Sequence, residues 1–600
     1  MTTTTSFSDR GRFWSLTKEN LRRNIGTMAY TFVLTFFFFP VQYLLEIFGR
    51  DVPAFSPEFS YTRLSLIGPA QIHTGLSVVM MTAVLLVAPM AAAVGQMSYM
   101  HNRRSVDLYH SLPVSRTQLM LSGGLCAFLT TALPMALNYL IILVGGAVRA
   151  ALPAGGDFPF YPGQILLDAL GWAVTALVII AAVLLVAAQV GSVFETFAFS
   201  GVLLAAPLLV VVISMGFCDQ YLLGYANTLS AQQMSRLTPL GLMIHRYTIP
   251  AGALPGSADA RTLGMSNLMM LAWLAVGAVF LWMALWLYGR RKSEMAESSA
   301  MVGPIGVAAK AVIVFSGASA VGALFSAIRG GGKAALVFWA TLGAALTFLL
   351  LEAVLNRGFK GIKRTLPAGG AMVAGVLCLA LVLVTGGLGY ENRIPAPDNI
   401  REVTVDSRGR FSYIKVLDAA SPQGSYATVD DWGSPVVSYR YGTVDEVTLT
   451  DPEAIQVVRQ IHQATIDRFR AGGGVDVLSP QTPGSIGEFS YGLANGRLLR
   501  RYNGWIVSEP VGDLLWQLEA REDFVRQSCP LFFIDPHQYR SVTAADRLGL
   551  TTSGPGTGPL DIARLVEALQ ADILAQDLET VRSGSARVLG YVYFDTGLDP

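Results

Sequence analysis

Nine runs of about 20 mainly apolar residues occupy the first 390 positions of this chain, and a helix of that length spans the hydrocarbon core of a bilayer. They are residues 26–48, 74–94, 119–144, 169–188, 197–217, 268–287, 311–328, 333–355 and 368–388. The seventh is the weakest, being short and rich in Gly, Ala and Ser. Only residues 329–333 separate it from the eighth, which predicts a tight hairpin or a re-entrant pair. Composition agrees with a largely lipid-embedded body: 52% of the 600 residues are hydrophobic and 14% charged, where a soluble chain keeps about a quarter charged.

The net charge of +1 hides an asymmetry. Residues 1–390 carry 24 Lys plus Arg against 14 Asp plus Glu, whereas residues 391–600 carry 19 against 28. The predicted fold class is therefore an α-helical polytopic membrane protein of about nine spans with a C-terminal α+β soluble domain large enough for its own core. Four parts follow: a connecting helix in 1–25, six spans in 26–290, three more in 291–390 and the soluble domain in 391–600.

Basic residues in short loops mark the cytoplasmic side. With the N-terminus inside, the inner segments hold 16 Lys or Arg and the outer ones eight, and an odd number of spans then puts the acidic domain outside, with no cleavable leader expected. Losing one span would reverse that placement. Glu46, Asp168, Lys310, Lys333 and Glu352 all fall at or near span ends, so neither a midplane carboxylate relay nor a ligating His pair is visible. Gly330 to Lys333 lacks the distal Gly and following hydroxyl of a phosphate-binding loop. No cofactor, metal site or catalytic role is expected, and Cys126, Cys218, Cys378 and Cys529 are too dispersed for a disulfide scaffold.

Ahead of the first span, Phe13, Trp14, Leu16 and Leu21 share one half of a helical wheel, with Asp9 placed to cap the start and only Thr17 and Asn20 spoiling the apolar half. Such a helix anchors to anionic headgroups or docks on something specific. In the loop after the second span, Ser105 can cap a short helix with Leu108, Tyr109 and Leu112 on one side. Pro113 stops it, and Ser115 can cap the third span. Exposed apolar residues held clear of lipid point to a cytoplasmic protein partner, the alternative being a retained basic loop.

The run Arg103, Arg104, Ser105, Val106, Asp107, Leu108, Tyr109, His110, Ser111, Leu112, Pro113, Val114, Ser115, Arg116 resembles the coupling segment in permease subunits of exporter-type ABC transporters. A connecting helix before span one, a very short turn near residues 191–196 and a long outer loop over 218–267 are similar to that family as well. The resemblance covers residues 1 to about 290, and the added spans and soluble domain depart from its six-span core. It implies a separate ABC ATPase subunit seated on residues 103–116, a homo- or heterodimeric permease partner, and transport across the plasma membrane. It also implies that the outer loop caps the path, the alternative being an ordinary ordered loop. Pro134 and Asn138 can kink span three and offer a polar group to that path, or serve packing alone.

In the soluble part, residues 489–493 and 498–502 alternate around Asn495-Gly496, predicting a hairpin with a two-residue turn. Further strands are expected at 402–406, 436–441, 530–534 and 588–594, with helices from Asp451, near Ser508 and from Leu560, and a loop over 551–558. His462, His537 and the Asp430-Asp431 pair form no catalytic constellation. Arg497, Arg500 and Arg501 form one charged face or meet an anionic group. The acidic balance argues against nucleic acid as a partner. A second function class stays open, in which this domain senses peptides, antibiotics or envelope components.

Overall fold

The computed structural model describes residues 9–49, 71–152, 160, 162–227, 229–248, 258–291, 304–329, 333–356, 358–359, 362–408, 416–417, 425–429, 435–439, 441–442, 446–470, 485–502, 509–533, 541–546, 551–553, 559–576 and 590–595. Asp430, Asp431 and His537 lie outside them. The chain divides into two compact units, one of residues 1–217 with 229–384 and one of residues 218–228 with 385–600. The second unit starts at residue 385 and takes in a piece of the chain after the fifth apolar run.

The first unit is helical. A connecting helix, α1 (Asp9–Arg23), precedes a first span broken at Phe39 into α2 (Ile25–Phe38) and α3 (Pro40–Gly49), since Pro40 has no N–H to carry the helix on. Then come α4 (Gln71–Met97), a 3-10 turn at Ser98–His101, α5 (Arg103–His110), α6 (Arg116–Ala151), α7 (Pro162–Ala187) and α8 (Val193–Tyr221). Two short helices, α9 (Ala231–Ser235) and α10 (Pro239–Thr248), lead into α11 (Ala258–Arg290), followed by α12 (Pro304–Arg329), α13 (Lys333–Leu355) and α14 (Ile362–Val384). Among the described residues nine helices, with α2 and α3 counted as one, are long and apolar enough to cross a membrane.

Helix α7 is the hub of the first six spans. Trp172, Ala176 and nearly every residue from Val178 to Ala188 are buried, packed by α4, α6 and α11. Helices approach closely where glycine leaves room: a Cβ on Gly123 would overlap Met97, and one on Gly124 would press on Leu184. The short helix α10 packs Leu242 and Met243 into the bundle. The seventh run, expected to be weak, is a 26-residue helix paired tightly with α13. Gly317 faces Thr347 and Gly343 faces Val321 with no space for a Cβ. Lys310 Nζ lies 2.6 Å from Glu352 Oε1, and Asn356 donates to the other carboxylate oxygen at 2.9 Å. Ala309 and Leu355 seat this pair on Val186, Val190 and Phe199 of the six-span core.

The second unit begins where α14 ends, four residues earlier than the expected span. Gly386, Gly387, Leu388 and Gly389 all have positive φ, at 84°, 62°, 56° and 85°, so the chain makes a left-handed turn that a right-handed helix cannot enter. Its strands are β1 (Ile400–Arg408), β2 (Val416–Leu417), β3 (Ser425–Val429), β4 (Pro435–Tyr439), β5 (Tyr441–Gly442) and β6 (Glu446–Leu449). After α15 (Pro452–Arg470) come β7 (Ser485–Leu493), β8 (Leu498–Tyr502), α16 (Glu509–Glu519), α17 (Glu522–Ser528), β9 (Ser541–Asp546), β10 (Thr551–Ser553), α18 (Pro559–Leu574) and β11 (Gly590–Asp595). The main sheet is antiparallel in the order β6-β1-β7-β8, and β10-β9-β11 form a second. Val403, Val405, Val447, Phe489 and Tyr491 of the main sheet share a core with Val458, Ile461, Leu515 and Phe524 of α15 to α17.

Three expectations for this unit change. Residues 530–533 form a 3-10 turn instead of a strand, with Leu531 packed beside Val525 and Cys529, and β10 occupies the start of the expected 551–558 loop. The hairpin loop has three residues, not two. Gly496 N–H donates to Leu493 O, Leu493 N–H donates to Arg497 O, and Gly496 alone has positive φ, which is a type I turn closed by a glycine bulge.

Candidate functional site

Helix α5 is capped by Asn102, whose Oδ1 accepts from the Arg104 N–H at 3.0 Å, so Ser105 sits inside the helix rather than at its start. The reason is backbone geometry: Asn102 is the extended residue before the first turn, with φ −121° and ψ 123°. The expected common face also splits. Val106 and Tyr109 turn inward, whereas Leu108 is 66% exposed and Leu112 is exposed beyond the helix end, since successive residues differ by about 100° around a helix. Arg103, Arg104 and Asp107 are exposed beside Leu108. Ser111 Oγ donates to Leu108 O at 2.7 Å and closes the last turn before Pro113. Ser115 caps α6 as expected, in a reciprocal pair with Gln118.

The segment is braced at every end. The Tyr109 ring stacks on Tyr99 with centroids 4.4 Å apart. Tyr288 Oη shares hydrogen bonds with Tyr99 Oη and His110 Nε2, each 3.1 Å long. Burial, reinforced by the Arg116 charge, holds the His110 imidazole below its ordinary pKa and so favours the neutral ring. Buried Arg291 donates through Nη2 to Met100 O at 3.0 Å and through Nη1 to Ala187 O. Its own carbonyl accepts from Arg116 Nη1 at 2.7 Å. His101 Nε2 shares a 2.9 Å hydrogen bond with Thr196 Oγ1 beside the short turn between α7 and α8. Arg291 thus ties together the ends of α4, α6, α7 and α11 around α5.

Helix α1 joins the same assembly. Thr17, expected to interrupt an apolar face, is buried and its Oγ1 donates to Ser122 Oγ of α6 at 3.2 Å. Arg12 Nη1 donates to Pro113 O at 3.1 Å. Leu16 packs on the α4–α6–α7 core, Phe13 and Leu21 are half-buried, and Trp14 is 61% exposed. The packed face centres on Thr17, and Trp14 is left outward.

Pro134 and Asn138 are buried in α6 near neither of these groups. Asn138 Nδ2 donates to Thr35 Oγ1 of α2 at 2.5 Å, and its Oδ1 accepts nothing among the described residues. The adjacent α6 residues Met135 and Tyr139 pack with Phe39 and with Trp172 of α7.

Sequence reasoning missed Arg291, Tyr288, Tyr99 and His101. In the sequence Arg291 reads only as one of several basic residues in a loop. The available signal was a Tyr three residues before an Arg at the end of an apolar run, the spacing that puts both on one helix face. No family model, curated protein or solved structure matches the chain.

Proposed function

We propose that the chain is the membrane-embedded permease subunit of an ABC exporter in the plasma membrane, moving a drug, peptide or lipid-like substrate. It pairs with itself or a related chain and is driven by a separate ABC ATPase; the N-terminus is cytoplasmic and the C-terminal domain extracytoplasmic. The observation that carries this reading is α5: a short helix with an outward apolar residue, Leu108, whose inner face is stacked, hydrogen-bonded and clamped to the ends of four spans. A rod so braced passes displacement to those spans instead of folding away under load. Arg103 and Arg104 supply a basic edge beside Leu108, suited to an apolar socket with acidic rims on the ATPase.

Leu108→Asp tests it without disturbing the inner face. A carboxylate forced into an apolar socket costs about 2 kcal/mol or more, roughly a thirtyfold loss of affinity for the ATPase. Copurification with the ATPase and transport should fall while membrane insertion and detergent-solubilised melting stay unchanged. Undiminished association in Leu108→Asp would defeat the proposal.

A second reading, the outer domain as sensor, is favoured by the inclusion of residues 218–228 in that unit. Removing residues 385–600 separates the two: a transporter retains ATPase coupling through α5, and a sensor loses every response.

A further inference from the structure

The second unit enfolds the end of a span. Residues 218–221 are the last turn of α8, and they fold with the outer domain together with residues 222–228. The left-handed turn at 386–389 aims the next two residues at this piece of chain. Glu391 Oε1 accepts from the Leu223 N–H at 3.1 Å, the Tyr390 ring lies 6.3 Å from that of Tyr225, and a Cβ on Gly387 would press on Leu222. Leu388 takes φ 56° in that turn, which a non-glycine residue adopts only where its surroundings hold it there.

Behind Tyr390 stands Arg501 of β8, 1% exposed. Its guanidinium carbon lies 3.7 Å from the centroid of the Tyr390 ring, and Nη2 donates to the carbonyls of Tyr390 and Arg393 at 3.1 and 3.4 Å. Nε and Nη1 donate to nothing, and no carboxylate is paired with Arg501 among the described residues. A buried cation normally has a counter-charge. Among the described residues its hydrogen bonds and its ring contact all go to residues 390–393, and the placement of those residues depends on it in turn. Such reciprocal dependence makes the segment hold or release as a unit.

We infer that Arg501 and residues 386–391 form a latch with which the outer domain grips the end of α8. Arg501 is a positioning residue that acts through Tyr390. The latch gives the domain a second attachment to the spans, at the fifth, beyond its covalent link at the ninth. Resting on the permease reading, a molecule bound by the outer domain would alter the state of span five by opening or tightening this grip. The ring face of Tyr390 carries the contact with Arg501, and its hydroxyl donates to Gly224 O at the long distance of 3.5 Å.

Hydrogen exchange of the full chain in lipid nanodiscs reads the latch without any ATPase, so it fails or succeeds independently of the transport proposal. Exchange across 219–228 should rise by about tenfold or more in Arg501→Met and in Tyr390→Leu, with β1 and β7 still protected, and stay at the wild-type rate in Tyr390→Phe. Arg501→Lys, which keeps a cation over the ring, should restore part of the protection. Unchanged exchange at 219–228 in both disruptive variants overturns the latch. Loss of protection in β1 and β7 together with 219–228 in Arg501→Met would mark that variant as a core lesion, and Tyr390→Leu, at a half-buried residue, then decides alone: unchanged exchange at 219–228 in it overturns the latch.

Discussion

His462 shows how one buried side chain sets a pH dependence. It projects from α15 under the main sheet, 5% exposed, with Nδ1 sharing a 3.1 Å hydrogen bond with Tyr491 Oη and its ring against Phe489. Burial first, and the Arg501 charge second, lower its pKa to about 4. The unfolded chain takes up a proton near the ordinary value of 6.5 while the folded domain still refuses it. The stabilisation is therefore complete above about pH 6.5, declines as pH falls toward 4 and levels off below; the full swing is on the order of 3 kcal/mol. Calorimetry of the full chain in nanodiscs should show the transition of the second unit, identified by its disappearance on removal of 385–600, moving down in temperature across that window. His462→Gln, which retains a partner for Tyr491, should flatten the slope. A slope unaltered by the substitution would assign the pH dependence to other groups. The neighbouring arginines teach a related lesson. Arg500 and Arg501 look alike in sequence, yet strand alternation sends Arg500 outward, 3.7 Å from Glu488, and Arg501 into the interior.

At the scale of elements, α5 owes its rigidity to what holds its ends. Arg291→Met removes the donors to Met100 O and Ala187 O, two carbonyls at a buried crossing, and each acceptor left without a partner costs about 1–3 kcal/mol. The expected result is local loosening around 98–116 with the bundle intact. Trypsin cutting at exposed Arg103 and Arg104 in the purified protein reports it directly. Cleavage should accelerate by about tenfold or more in Arg291→Met and by less in Arg291→Lys, which keeps the charge but reaches one carbonyl instead of two. Equal cleavage rates would show that the tyrosine stack alone suffices. The apolar runs, the α5 helix and the Ser115 cap were legible because each is a local signal: run length, a short helical pattern before Pro113, a hydroxyl before a helix. The clamp was not. Its bonds join residues up to 191 positions apart, and nothing local distinguishes Arg291 from Arg290, which instead lies 3.9 Å over the Trp286 ring. Thr17 was misjudged for the same reason, since its partner Ser122 sits 105 positions away and turns an apparent flaw in an apolar face into the centre of a contact.

For the whole molecule, the composition of the second unit constrains how many times the chain crosses the membrane. If the nine apolar helices each cross a bilayer, residues bonded to each other, as Leu223 is to Glu391, lie on one side of it. An even number of spans must then separate them, and α11 to α14 provide four. Were the seventh run re-entrant, three would remain and the two residues could not meet. The other end of the bundle obeys the same parity: Arg12 bonds Pro113, His101 bonds Thr196 and Arg116 bonds Arg291, each pair joined by an even number of spans. Burial of Glu352 against Lys310 of α12 gives an energetic reason for the seventh span to cross, because withdrawing α12 would leave a carboxylate in the membrane without its cation. Accessibility to protease follows. With the permease orientation, trypsin added to intact cells should cut the outer domain at exposed Arg497 and Arg500 and spare Arg103 and Arg104, and inside-out vesicles should give the reverse. Cutting of both sites from the same side would require an odd-span error among the seven helices between them and would overturn the nine-crossing topology. Reversal of both patterns would keep all nine crossings and put α5 outside, where no ATPase could reach it.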